Sequence, residues 1–231
     1  MAVALLDRVA RIRLGPAEFE PLMEGALWWP GERTLLVADL HLEKGSALAR
    51  AGWPVPPYDS LETLRGLEAL VNRHRPRRVV ALGDSFHDTQ GPARLAAPAR
   101  ALLEAIVARV EWWWIAGNHD PVGRGLPGGA VAEERMLGGV ALRHVARPHD
   151  PGPDVSGHFH PVVVVPAAGG RRVVRRCFVR AGDRLILPAF GAYAGGLDAH
   201  DPAIAEALGG PPEALVPTAR GLVRIRRGAA A

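Results

Sequence analysis

Apolar residues along this chain follow two rhythms, one before about residue 120 and one after. Thr34-Leu35-Leu36-Val37-Ala38 is a short apolar run that ends abruptly in Asp39-Leu40-His41. A run this short, apolar on both faces, predicts a buried strand whose tip delivers polar groups. From Ser60 to His74, Leu61, Leu64, Leu67, Leu70 and Val71 recur at helical spacing, and Asp59 with Glu62 three residues on makes a capping-box-like start. Arg78 to Leu82 predicts a second buried strand, closed by Gly83-Asp84, and Ala99 to Val110 a second helix opening near Pro98. Glu111 to Ala116, which carries Trp112, Trp113 and Trp114, predicts a third strand, closed by Gly117-Asn118-His119-Asp120. Strand, helix, strand, helix, strand is the pattern of a parallel α/β sheet, and such sheets place ligand sites at the carboxyl ends of their strands. All three polar clusters fall at those ends.

The second half reads differently. Val131 to Leu137 and Val140 to Val145 flank Gly138-Gly139, a hairpin signal. Val162 to Val165 and Arg172 to Val179 flank Ala167-Ala168-Gly169-Gly170, a second one, and Arg184 to Leu187 with Leu222 to Ile225 add strands. This half is predicted to be mainly antiparallel, with Gly123 to Gly129 and Pro148 to Pro153 as surface loops. Residues 1–231 are expected to form a single domain.

Composition narrows the class. The chain has 231 residues, 48% hydrophobic and 23% charged, which suits a globular domain with a sizeable core. No apolar run approaches a membrane span, and the opening MAVALLDRVARIR is broken by Asp7 and Arg8, which is unlike a signal peptide. The expected location is the cytoplasm, with no membrane partner. Cys177 is the only cysteine, so an intrachain disulfide and cysteine-based zinc sites are excluded. The net charge of +4 rests on arginine, with Lys44 the only lysine; it permits a polyanionic partner without demanding one. Arg171, Arg172, Arg175, Arg176 and Arg180 form the densest basic run, but strand alternation sends 172, 176 and 180 to one face and 171 and 175 to the other.

Each polar cluster alone has an ordinary reading. Asp39-x-His41 can cap a strand end, Asp84 can simply follow a glycine, and Gly117-Asn118-His119-Asp120 can be a turn. Their sum carries the case, since parallel strands bring three sets of metal-binding side chains together. His158-Phe159-His160 adds two imidazoles that a strand would aim to one face. His144, on a predicted strand beside Leu142 and Val145, is by itself as well read as a core histidine; the six other candidate ligands turn the reading toward coordination. His74, His149 and His200 have adequate readings in a helix end and in loops. Trp112 to Trp114 are expected to fill a core, whereas Trp53, in the Pro-rich stretch Ala51 to Pro57, is a candidate substrate wall.

Asp39-x-His41, Gly83-Asp84, Gly117-Asn118-His119-Asp120, His144 and Gly157-His158-x-His160 together resemble the calcineurin-like metallophosphoesterases, over about residues 34 to 165. A narrower likeness is to the ligase-associated DNA damage response endonuclease family. It rests on Val37 to His41, Leu82 to Asp88, Gly157-His158-Phe159-His160-Pro161 and Pro188-Ala189-Phe190-Gly191-Ala192-Tyr193. The resemblance implies a two-sheet αββα sandwich, its first half mostly parallel and its second mostly antiparallel. It implies two divalent ions, with Asp39, His41 and His160 holding one, Asn118, His144 and His158 the other, and Asp84 bridging. Mixed imidazole, carboxylate and amide ligands suit Mn²⁺, Fe, Zn²⁺ or Mg²⁺, and family likeness favours Mn²⁺. Two such ions less two carboxylates and a bridging hydroxide leave a formal charge of about +1, which attracts a phosphate, and the hydroxide is the expected nucleophile. His119 is then expected to stabilise the transition state or protonate the leaving alkoxide, with Asp120 orienting it and His87 and Asp88 near the substrate.

The leading expectation is a metal-dependent phosphodiesterase or endonuclease acting on DNA in a repair setting, in functional association with a DNA ligase and other repair proteins. A small-molecule phosphatase or nucleotide phosphodiesterase is the alternative, and a non-catalytic scaffold of the same fold the third reading. Protein phosphatase relatives usually carry Asp-Arg-Gly after the bridging aspartate, whereas Ser85-Phe86-His87-Asp88 stands here.

Overall fold

The computed structural model describes residues 5–9, 11–53, 55–119, 125–219 and 221–225. Four strands precede the first predicted one: β1 (Leu5–Val9), β2 (Ile12–Leu14), β3 (Ala17–Pro21) and β4 (Leu27–Trp29). Then follow β5 (Thr34–Val37), α1 (Lys44–Arg50), α2 (Asp59–His74), β6 (Arg78–Leu82), α3 (Gly91–Arg94), α4 (Ala97–Val107), β7 (Glu111–Ile115) and β8 (Ala130–Ala132). The second half supplies β9 (Glu134–Leu137), β10 (Val140–Arg143), β11 (Asp154–Ser156), β12 (Val162–Pro166), β13 (Arg172–Arg176), β14 (Phe178–Ala181) and β15 (Arg184–Ile186). The described chain ends with α5 (Pro202–Leu208), β16 (Glu213–Thr218) and β17 (Gly221–Ile225).

Seven strands form one sheet in the order β2-β3-β4-β5-β6-β7-β8, parallel from β5 through β8 and antiparallel before. Eight form the other, β1-β17-β16-β14-β15-β11-β10-β9, antiparallel except where β11 runs parallel to β10 and β15. Strand alternation dictates how the sheets stack. Leu35, Val37, Val79, Ala81, Trp112 and Trp114 point to one face, where Leu64, Leu67, Leu103 and Ile106 of α2 and α4 cover them. Leu36, Val80, Leu82 and Ile115 point to the other and meet Val140, Leu142, Val155, Phe178, Leu185 and Leu215 of the second sheet. The outer face of that sheet, with Val179, Ile186, Ala214 and Val216, is closed by Ile204 and Leu208 of α5. The result is the αββα sandwich expected, with the central parallel strands β5 and β6 buried on both sides.

Several boundaries moved. The strand expected over 131–137 is two strands in different sheets: β8 pairs parallel with β7, and β9 pairs antiparallel with β10, with a bend at Glu133 between them. Neither glycine nor proline marks that crossing, so the sequence reads through it. The run Arg172 to Val179 likewise divides at buried Cys177. β13 pairs with β12 in a separate two-stranded sheet, while β14 joins the eight-stranded one, so Arg180 does not share a hairpin face with Arg172 and Arg176. The helix expected from Ala99 begins at Ala97 and ends at Val107, with Pro98 in its first turn. Trp112 and Trp114 are buried core residues, as expected. Among the described residues no helix is long and apolar enough to cross a membrane.

Candidate metal centre

The carboxyl ends of β5, β6 and β7 open directly into loops that are laced together by backbone hydrogen bonds. Asp39 N–H donates to Gly83 O (3.2 Å), His41 N–H to Asp84 O (2.9 Å) and Gly157 N–H to His144 O (2.9 Å). Side chains extend the lacing: Asp84 Oδ1 accepts from His119 N–H (2.9 Å) and Asp39 Oδ2 from His158 N–H (2.9 Å). Two groups of potential ligands result, each with its ligand atoms within 4.8 Å of one another: Asp39, His41 and His160, and Asp84, His144 and His158.

In the first group His160 Nε2 lies 3.1 Å from His41 Nε2 and 3.3 Å from Asp39 Oδ1. In the second, Asn118 Oδ1 lies 2.9 Å from His144 Nε2 and 3.0 Å from His158 Nδ1, and the two ring nitrogens are 3.2 Å apart. Asp84 joins the groups, with Oδ1 3.5 Å from His144 Nε2 and Oδ2 3.9 Å from His41 Nε2. All seven sequence-predicted ligands therefore come together in one cluster.

The donor set suits cations. Asp39 is fully buried and its Oδ1 has no hydrogen-bond partner, which is costly for a carboxylate oxygen unless a cation or proton sits against it. His41 is held neutral, its pKa lowered to about 2 by burial first and then by repulsion from His160, Lys44, His87 and His119. Burial also lowers His158, with His144 adding to the effect. His144 Nδ1 lies 3.0 Å from Leu82 O, a contact that fits an N–H on Nδ1 and leaves the Nε2 lone pair turned into the cluster. Neutral imidazoles beside ionisable carboxylates and an amide oxygen form a hard-to-borderline ligand set.

The backbone is strained at the same place. Asp39 (φ 53°), His41 (43°), Asp84 (45°), His158 (74°) and His160 (47°) all lie in the left-handed region. Each such residue costs on the order of 1–3 kcal/mol, and Asp and His tolerate the conformation better than most. This corrects the strand expected for His158-Phe159-His160. The two imidazoles converge because a left-handed turn after β11 aims His158 at one group and His160 at the other. His144 likewise stands just beyond the end of β10 rather than on it.

His119 lies outside both ligand groups. Its ring is 44% exposed beside the ligand groups, stacked on His87 (centroids 5.6 Å, interplanar 11°) and edge-on to His41 at 5.7 Å. His87 also meets His41 at 5.5 Å, and its pKa is lowered by burial and by Lys44. Asp88 is bound bidentately by Arg94 (2.9 and 2.7 Å). Asp120 lies outside the described residues. Trp53 is 71% exposed just beyond α1.

Sequence reasoning missed the supporting layer. A Cβ on Gly83 would overlap the His144 ring, one on Gly117 would overlap Asp84, and one on Gly157 would overlap Asp39 Oδ2. The signal was available, since each of these glycines directly precedes a ligand. Glu43, whose N–H donates to Ser60 Oγ (2.8 Å) while Ser60 donates to Glu43 Oε1 (2.9 Å), anchors the His41 loop to α2. Arg176 donates to Phe190 O (3.2 Å) and Gly191 O (2.5 Å); Phe190 and Gly191 in turn donate to Ala38 O and Asp39 O.

A two-sheet sandwich with seven such side chains at its strand ends defines a metallohydrolase architecture. A family model described as Calcineurin-like phosphoesterase matches residues 32–166, more than half of the chain, and the chain belongs to that family. The crystal structure of Pseudomonas putida nuclease MPE is similar along nearly its whole length: 27% identity, 94% of this chain and 98% of that one covered, TM-score 0.69. Yfce, a phosphoesterase from E. coli, is a more distant likeness, with 18% identity over 71% of this chain and 83% of that one and a TM-score of 0.42. No curated protein matches.

Proposed function

We propose that this phosphoesterase is a Mn²⁺-dependent phosphodiesterase or endonuclease that hydrolyses DNA phosphodiester bonds in a repair setting. It would act in the cytoplasm, in functional association with a DNA ligase. The observation that carries the reading is the convergence of seven candidate ligands at neighbouring loop ends. The end-to-end likeness to a nuclease supports the nucleic-acid part of it.

Asp39, His41 and His160 would hold one divalent ion, Asn118, His144 and His158 the other, with Asp84 common to both. When bound, such a pair lowers the pKa of water so that hydroxide is available at neutral pH, and it offsets charge on a phosphate. The protein supplies the rest. Neutral His41 and His158 offer lone pairs without first losing a proton. His119, exposed beside the ligand groups and tied to Asp84 through its backbone N–H, would meet the phosphate and donate a proton to the departing alkoxide. Asp120 would orient it, and His87, stacked beside it, and Trp53 would contact the substrate.

The test strips the purified protein of metal, resupplies Mn²⁺, Zn²⁺ or Mg²⁺, and offers single-stranded DNA, duplex DNA, cyclic nucleotides and simple phosphate esters in parallel. Cleavage of DNA with Mn²⁺ is expected. Hydrolysis of small esters alone would replace the DNA reading with that of a small-molecule phosphatase.

A further inference from the structure

A cleft of about 220 Å³ lies beside the metal centre, lined by Ala47, Arg50, Asp88, Thr89, Gln90 and Arg94. One wall is α1 and the other is the segment from Asp88 to Arg94. It opens one residue from His87, whose ring stacks on His119 at the mouth of the centre. Its charge is lopsided. Asp88 is its only carboxylate, and that group is neutralised by the bidentate guanidinium of Arg94, which is itself braced by Ser46 Oγ at 3.0 Å.

Two further cations stand on α1. Arg50, exposed at the end of the helix, has no carboxylate partner among the described residues. Lys44, half-buried at the start of the helix with its N–H on His41 O (3.2 Å), likewise lacks an ionic partner among them. The side chains of Thr89 and Gln90 add uncharged donors. Arg50 and Arg94 against the single carboxylate of Asp88 leave the lining with a net positive charge, which suits an anion rather than an apolar group.

We infer that this cleft binds the backbone phosphate next to the one being cut, so that the centre selects polynucleotide chains over isolated phosphate esters. The inference rests on the phosphodiesterase reading above and names its substrate class. A simple ester reaches only the metal centre. A strand reaches both, and gains an ionic contact that releases counterions.

Arg50→Gln and Arg50→Lys test it, because Arg50 is exposed and belongs to neither candidate ligand group. Binding of a labelled single-stranded oligonucleotide to metal-stripped protein is measured by anisotropy across a salt series. Hydrolysis of bis(p-nitrophenyl) phosphate with Mn²⁺ is measured alongside. Arg50→Gln is expected to weaken oligonucleotide binding about three- to tenfold at low salt and to flatten the salt slope by about 0.7, the value for one phosphate on a single strand. Arg50→Lys should keep most of the affinity, and kcat/KM for the aryl ester should not change in either variant. Unchanged oligonucleotide affinity in Arg50→Gln, or an equal loss on the aryl ester, would overturn the assignment. The metal-free binding arm answers for the cleft alone, whereas failure of the wild-type protein to hydrolyse any phosphodiester would count against the catalytic reading.

Discussion

Gly117 offers a sharp test of how the centre is built, because what forbids a side chain there is not backbone conformation but the space taken by Asp84. A Cβ at residue 117 would overlap both Asp84 Oδ1 and the Asp84 backbone nitrogen. The backbone atom cannot swing aside as a side-chain tip would, so Gly117→Ala must push β7's loop away from β6's. Overpacking of this kind costs about 1–3 kcal/mol, which for a chain of this length lowers Tm by roughly 2–12 °C. The functional loss should exceed the stability loss. Asp84 belongs to one candidate ligand group and lies 3.9 Å from His41 of the other, and displacing it also breaks its bond from His119 N–H (2.9 Å). Gly195→Ala is the control, since nothing lies within 4 Å of a Cβ there. Thermal unfolding and aryl-ester turnover with Mn²⁺ are measured for both variants. Gly117→Ala with wild-type Tm and turnover would refute the reasoning.

His119→Ala should bind Mn²⁺ as the wild type does yet lose about 10²–10⁴ in turnover, the usual contribution of a positioned acid; undiminished activity would remove His119 from the mechanism. Metal-free protein should lose stability as pH falls below 6.5. The unfolded chain protonates His41 near that ordinary value while the folded one resists to about 2, so the unfolded state binds more protons throughout the interval. Melts at pH 7.5 and 5 in wild type and His41→Gln should show a smaller drop in the variant, and equal drops would count against it. Arg176→Met leaves the Phe190 carbonyl without its donor and the Gly191 carbonyl with only the longer bond from Ala194 N–H (3.4 Å), and should destabilise the protein by about 1–3 kcal/mol, read by denaturant unfolding. It should also weaken Mn²⁺ affinity through the Asp39 loop that those residues support.

The convergence of the candidate ligands was legible because strand ends are marked by abrupt polarity. Val37-Ala38-Asp39, Leu82-Gly83-Asp84 and Ala116-Gly117-Asn118 each switch from apolar to chelating within two residues, and parallel pairing brings the three switches together. His144 needed the whole set to be read as a ligand, since its immediate neighbours are those of a core position. The turn at His158 and His160 was not legible: alternation gave the right partners by the wrong geometry, because a left-handed backbone leaves no mark on residue type when Asp and His already tolerate it.

The outer parts of the fold were harder to read for a different reason. β2, β3, β4 and β11 have only three to five residues each, too few for periodicity to register, and their partners are set by distant packing rather than local pattern. The crossing between sheets at Glu133 and the division at Cys177 fall inside unbroken strand-like sequence. Tertiary competition for two sheet edges decides both.

Equilibrium dialysis of wild-type protein and Asp84→Ala against Mn²⁺, with bound metal counted per chain, bears most directly on the shared cluster. Two ions per wild-type chain and fewer than two in Asp84→Ala are expected if Asp84, a member of one group and 3.9 Å from His41 of the other, serves both ions as proposed. No stoichiometric binding by the wild type, or two ions still held by the variant, would contradict it.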